Sequence, residues 1–194
     1  LEMNDKLESL RNKWRSEEGW PEIVHNMQHR IGLSSGEMVT GNMGSTMRMN
    51  YTMMGDTVNI AARLEASAKQ YGIYIQVNES TYESAKDKFE WRFLDYVKVK
   101  GKQLPVKVYE LVAEKGKMKD VDKAAVEAFS HAQELYFNQD WDKAIKAFID
   151  ANELEDMFPG RSENPSNIYL QRCHHLKDNT PGKDWNGVWV LTKK

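Results

Sequence analysis

Long apolar runs are missing from this sequence. None of its 194 residues belong to a stretch approaching the roughly 18 consecutive apolar side chains that span a bilayer as a helix, so no membrane contact is expected from this segment. Cysteine is nearly absent. Cys173 stands alone, which excludes an internal disulfide and suits a reducing, cytoplasmic compartment. Neither sign of charge is in excess: 27 Lys and Arg face 29 Asp and Glu, for a formal net charge of −2. That balance offers no basic surface of the kind that grips nucleic acid. No signal peptide is visible, since Leu1-Glu2-Met3 reads as a remnant ahead of a polar helix, and a start on Leu is expected of a piece cut from a longer protein.

What remains is length enough for one good-sized domain, or for a domain with an appendage. Residues 4–19 have helical composition, with Leu7, Leu10 and Trp14 at spacings of three and four ahead of Gly19-Trp20-Pro21. Residues 26–34 and 36–41 read as strands on either side of the turn Ser34-Ser35-Gly36. A short strand over 51–54 leads into a helix ending near Tyr71-Gly72, and the β-branched and aromatic residues 73–77 predict another strand. A short helix runs from Ser80 to about Lys88. Residues 90–100 and 105–113 alternate apolar and polar side chains, an antiparallel pair across a turn at 101–103. Hairpins mixed with crossing helices predict an α+β sandwich.

The chemistry concentrates in Gly55-Asp56-Thr57-Val58-Asn59-Ile60-Ala61-Ala62-Arg63-Leu64-Glu65-Ala66. Asp56 is a good N-cap, because its carboxylate can accept the free N–H groups of a first helical turn. The alanines, Leu64 and Glu65 are strong helix formers that continue it. Asn59 and Arg63 then project from one face, about a turn apart. Such a pair is ordinarily a solvated face. Here it lies just inside a helix N-terminus, where the macrodipole favours anions, and it joins an amide to a planar fork of donors. That arrangement suits a phosphate group.

Around this run, Arg30-Ile31-Gly32-Leu33-Ser34-Ser35-Gly36-Glu37-Met38-Val39-Thr40-Gly41-Asn42-Met43-Gly44-Ser45, then Arg48, Tyr51-Thr52, Lys69, Tyr71-Gly72 and Val99-Lys100-Gly101-Lys102 occur in order. Together they resemble the second half of a class III nucleotide cyclase catalytic domain, of the adenylyl or guanylyl kind, over about residues 5 to 114. The resemblance implies a partial ferredoxin-like sandwich and a reaction in which the ribose 3′-hydroxyl of a nucleoside triphosphate attacks its own α-phosphate and expels pyrophosphate. Catalysis of that kind rests on positioning and on charge stabilisation. By the resemblance, Arg63 stabilises the α-phosphoryl transition state, Asn59 orients the ribose, and Lys100 contacts the terminal phosphates, with Lys102 as its substitute. Thr52 stands where the purine is selected. Many members carry Asp there, guanylyl cyclases usually carry Cys, and a subgroup of adenylyl cyclases carries Thr, so ATP is the expected substrate. Gly41-Asn42-Met43-Gly44 lacks the Lys-Ser/Thr of a P-loop and reads as a turn, and the methionines at 43, 47, 49, 53 and 54 read as hairpin and interface packing.

In the family, two upstream aspartates hold Mg or Mn, and neither has a counterpart here. The chain is therefore expected to carry one half of the site, with no metal ligands of its own, and to be inactive alone. Family sites form at a dimer interface, so a homodimer is expected. Strand edges and apolar faces at 73–77 and 106–112, left uncovered, would add to that tendency. The alternatives are a guanylyl cyclase making cyclic GMP, and a noncatalytic regulatory or dimerisation module.

Beyond the cyclase-like residues 1–114, the lysine-rich stretch 115–122 reads as a linker into a second unit over 123–194. Two helical patterns, 124–138 and 142–154, place Ala132, Trp141, Ala144, Phe148 and Ala151 as a tetratricopeptide repeat places its packing residues. A single repeat cannot bury its own face, which predicts a helical hairpin packed on the sheet or on a partner chain. Residues 158–184 read as an extended, ordered tail anchored by Trp185, Val188, Trp189 and Leu191. Cys173-His174-His175 lacks a second ligand pair at a matching distance and reads as packing.

Overall fold

The computed structural model describes residues 1–97, 105–155, 163–182 and 184–189. In chain order its elements are α1 (Glu2–Ser16), α2 (Glu22–His25), β1 (Ile31–Leu33), β2 (Val39–Ser45), β3 (Arg48–Met54), α3 (Asp56–Tyr71), β4 (Ile75–Asn78), α4 (Glu79–Ala85), β5 (Phe89–Val97), β6 (Val106–Glu114), α5 (Asp120–Phe137), α6 (Trp141–Glu153) and α7 (Pro165–Asp178). This is an α+β fold. One sheet has the order β1-β4-β6-β5, with β1 parallel to β4 and the other pairs antiparallel. β2 and β3 form a separate ribbon, in register from Val39 opposite Met54 to Ser45 opposite Arg48.

The strands expected on either side of Ser34-Ser35-Gly36 therefore do not pair with each other. β1 is three residues long and joins β4, while β2 leaves for the ribbon. Residues 26–30, expected to open a strand, instead link the short helix at Glu22–His25 to β1.

Period-two alternation gives the sheet two apolar faces. On one, Leu64, Ala68 and Tyr71 of α3 pack with Ile73, Leu94 and Val108. On the other, Tyr74, Ile75, Val77, Tyr109 and Leu111 are covered by Leu1, Tyr82 and strand aromatics, the rings of Tyr82 and Tyr109 stacking at 3.9 Å. The apolar faces expected to lie open at 73–77 and 106–112 are thus buried, because helices of this chain cover both sides.

The segment expected to be an extended tail contains a helix. Asn164 caps α7 by accepting the Asn167 N–H at 2.7 Å, and Pro165 occupies the first turn, where its missing N–H costs nothing. α7 packs with α5 and α6 around Phe129, Ala132, Tyr136, Ala144, Phe148, Tyr169 and Cys173. Packing is accordingly what buries the thiol of Cys173, whose pKa rises to about 12.

This helical layer is bonded to edge strand β5. A bulge between Phe93 and Asp95 leaves Leu94 out of the ladder. Its buried carbonyl accepts instead from Gln133 Nε2 at 2.8 Å and from the Tyr169 hydroxyl at 2.7 Å. Arg92 is fully buried, donating to Glu110, its cross-strand neighbour, and to Glu155 beyond α6. Its guanidinium also lies over the Phe129 ring.

Candidate functional site

The site is built on α3, which rests directly on β1. A Cβ on Gly32 would stand 2.1 Å from the Ala61 carbonyl oxygen and 2.4 Å from the Glu65 nitrogen, so the close approach requires glycine. Three contacts fix the helix laterally. The Thr57 hydroxyl donates to the Glu37 carbonyl at 2.9 Å, Arg30 pairs with Glu65 at 3.0 Å, and the Ser67 hydroxyl donates to Gln76 Oε1 at 2.9 Å.

The helix begins one residue earlier than Asp56 as a cap would require. Gly55 occupies the N-cap position at φ 142°, a conformation open chiefly to glycine, and Asp56 is the first helical residue without a side-chain cap bond. Gly55 alone fills the non-helical cap position after β3, so Asp56 falls inside the first turn. Its carboxylate still lies in the first turn, beside the unpaired N–H groups. At the far end Gly72 closes the helix in the left-handed conformation, φ 63°.

With Leu64 and Ala68 turned to the core, Asn59 and Arg63 fall on the exposed face, one helical turn apart and about 6 Å along the axis. The Asn59 N–H donates to the Gly55 carbonyl at 3.2 Å, so Asn59 closes the first turn. Thr52 is exposed in the middle of β3, opposite Gly41. Lys100 and Lys102, with the turn at 101–103, lie outside the described residues. So does Leu191. The structure thus brings Asn59 and Arg63 together and sets Thr52 on the adjoining ribbon. A cleft between α1 and the end of β6, lined by Arg11, Arg15, His29 and Tyr74, includes none of these residues. Burial, with the charge of Arg11, holds the His29 imidazole below its usual range.

Among the described residues no group of three or more His, Cys, Asp or Glu side chains comes together as a metal site. Asp56, in the first turn of α3, is exposed.

Sequence reasoning missed the buried polar residues behind α3. Arg92 and Glu110 occupy positions that strand alternation assigns to a polar, solvated face. They are instead 1% exposed, under the C-terminal helices. The one available signal was the density of charge on residues 90–95 within an otherwise aromatic strand.

Residues 1–113 match the family model described as the adenylate and guanylate cyclase catalytic domain. The chain belongs to this cyclase family. Adenylate cyclase 1 of Rhizobium meliloti is 35% identical over 112 residues, covering 58% of this chain and 16% of that protein. The terminal-differentiation-specific adenylate cyclase of Dictyostelium discoideum is 31% identical over 147 residues, covering 74% of this chain and 7% of that protein. The chain therefore spans a small part of the length of these curated cyclases. Among solved structures, the adenylyl cyclase CyaB of P. aeruginosa is 29% identical, with a TM-score of 0.48 over 60% of this chain and 57% of that one. Among the described residues, no helix of this cyclase-family chain is long and apolar enough to cross a membrane.

Proposed function

We propose that this chain supplies the α3 half of an adenylyl cyclase site, in an enzyme that converts ATP to cyclic AMP and pyrophosphate for intracellular signalling in the cytoplasm. The observation that carries the reading is the pairing of Asn59 and Arg63 on the exposed face of a helix seated on β1 through Gly32, in a chain of this family. Arg63 donates from its guanidinium to the α-phosphoryl oxygens, where charge grows as the 3′-oxygen bonds to phosphorus and the bond to the departing pyrophosphate breaks. Asn59, one turn nearer the helix N-terminus, orients the ribose. Lys100 meets the terminal phosphates as a point charge. Thr52 reads the adenine edge with a hydroxyl that can donate or accept. The divalent ion that such an enzyme uses would rest on carboxylates other than those of this chain.

The partner is a second copy of the intact enzyme. The β2–β3 ribbon exposes Met47, Met49, Tyr51, Met53 and Met54, an apolar surface that pairing would cover. The tetratricopeptide-like pair α5 and α6 serves as an internal buttress rather than as an arm for other proteins. Because the family also includes guanylate cyclases, GTP is the alternative substrate.

Substitution tests the role of Arg63. In the intact cyclase, Arg63→Ala should lower kcat by about 10²–10³-fold with little change in KM, as expected of a donor acting in the transition state. A raised KM with kcat intact would make Arg63 a ground-state contact and overturn this assignment.

A further inference from the structure

The C-terminal helices reach the back of α3 through one buried node. Tyr71, the last residue of α3, donates from its hydroxyl to Asp95 Oδ2 at 2.6 Å. Arg172, from α7, donates to the same oxygen from Nη1 at 2.6 Å, and its Nη2 lies 3.4 Å from the Tyr71 hydroxyl. Asp95 Oδ1 accepts the Tyr96 N–H at 2.8 Å, so both carboxylate oxygens are used. The guanidinium is further enclosed by the rings of Tyr169, Trp189 and Tyr71, at 4.8, 5.1 and 5.7 Å. Tyr71, Asp95 and Arg172 are all at most 5% exposed.

The placement of the node bears on function. Tyr71 is two turns along α3 from Arg63, about 12 Å on a rigid helix. Asp95 lies on β5, five residues before Lys100 in sequence. A single guanidinium on the tail therefore bonds to both elements that lead to the phosphate-facing residues. A structural helix pair could have been seated on the sheet by apolar packing alone. A buried ion pair is instead an orientation-dependent contact, strong when its fork geometry is met and costly when one partner moves away. The helices after the catalytic domain are shared in part: a match covering 74% of the chain cannot fit within residues 1–113, so the likeness to the Dictyostelium cyclase extends at least about 30 residues past the catalytic-domain match, beyond the start of α5.

We propose that Arg172 is a positioning residue for catalysis: from α7 it holds the C-terminal end of α3 against β5, so that the aim of Arg63 depends on the docking of the tail. The proposal rests on the reading of α3 as the phosphate-facing helix. Arg172→Lys keeps the charge and loses the planar fork, whereas Tyr71→Phe removes one hydroxyl from the node and retains the ring and the Arg172–Asp95 pair.

The experiment combines amide hydrogen exchange over α3 with steady-state kinetics in the intact cyclase. Both variants should speed exchange along α3. Arg172→Lys should also lower kcat by about 10- to 100-fold with KM within about twofold. In an Arg63→Ala background, Arg172→Lys should add no further loss, because both changes remove the same interaction. Unchanged α3 exchange in both variants, or losses that simply multiply with Arg63→Ala, would overturn the proposal. If Arg172→Lys does not fold, Tyr71→Phe gives the same decision with a smaller effect. Were Arg63→Ala itself to leave kcat unchanged, the phosphate-facing reading would fall, and the exchange measurement would still decide whether Arg172 holds α3.

Discussion

In the proposed site Thr52 would meet the base and Arg63 the α-phosphoryl group, so their substitutions should separate cleanly. Under that proposal Arg63 would bear on rate, and Thr52 on the choice of base. Thr52→Cys, combined with the matching change at the other purine-selecting position of the enzyme, should raise GTP use relative to ATP in competition assays. An unchanged ATP:GTP ratio would mean that Thr52 only packs the ribbon. The Asn59–Arg63 pair was legible in the sequence, because helical spacing alone sets two residues four apart on one face. The node behind it was not. Arg92 meets Glu155 and Asp95 meets Arg172 across 63 and 77 residues, and no local pattern distinguishes a charged residue that finds such a partner from one that stays in water.

At the scale of elements, strand alternation and the glycine that ends α3 carried most of the fold. The long helix, the strand after it and the β5–β6 pair lie close to where composition places them. Two elements escaped. The parallel pairing of β1 with β4 joins segments 44 residues apart, and only the absence of a side chain at Gly32 hints that another element lies against it. Helix α7 was hidden by a polar composition, since its buried face is made of Tyr169, Arg172, Cys173 and Leu176 and only part of that face is aliphatic. The Gly32 contact makes a sharp prediction. Gly32→Ala would push a methyl into the Ala61 carbonyl, so α3 must lift or tilt. A loss of about 1–3 kcal/mol in urea-unfolding experiments is expected from overpacking of this kind, together with reduced turnover. Wild-type stability would mean that α3 moves freely on β1.

For the whole molecule, the open surface is the ribbon rather than the sheet. Met49, Tyr51 and Met53 alternate along one face of β3 and are 62%, 73% and 53% exposed. The main sheet has its apolar faces covered within the chain, so self-association should depend on the ribbon. Sedimentation at micromolar concentration is expected to give a dimer for the wild-type chain, and a monomer with an unchanged circular dichroism spectrum for Met49→Lys with Met53→Lys. A monomeric wild type would argue that the ribbon needs a different partner.

Cys173 adjoins Arg172 on α7, is fully buried, and has a thiol pushed up to about 12 by that burial. The sole sulfhydryl of the chain is thereby a silent one. At neutral pH it is neither accessible nor ionised, and a disulfide reagent needs a thiolate it can reach. Labelling should then be slower than in the urea-unfolded chain by about 10³-fold or more, at a rate set by how often α7 lifts from the core. Loosening the node with Arg172→Lys should quicken it without unfolding the sheet. Rapid labelling of the native protein would contradict the packing of α7. The tail thus carries its own chemical reporter, a native thiol whose rate of labelling counts undocking events with no residue substituted.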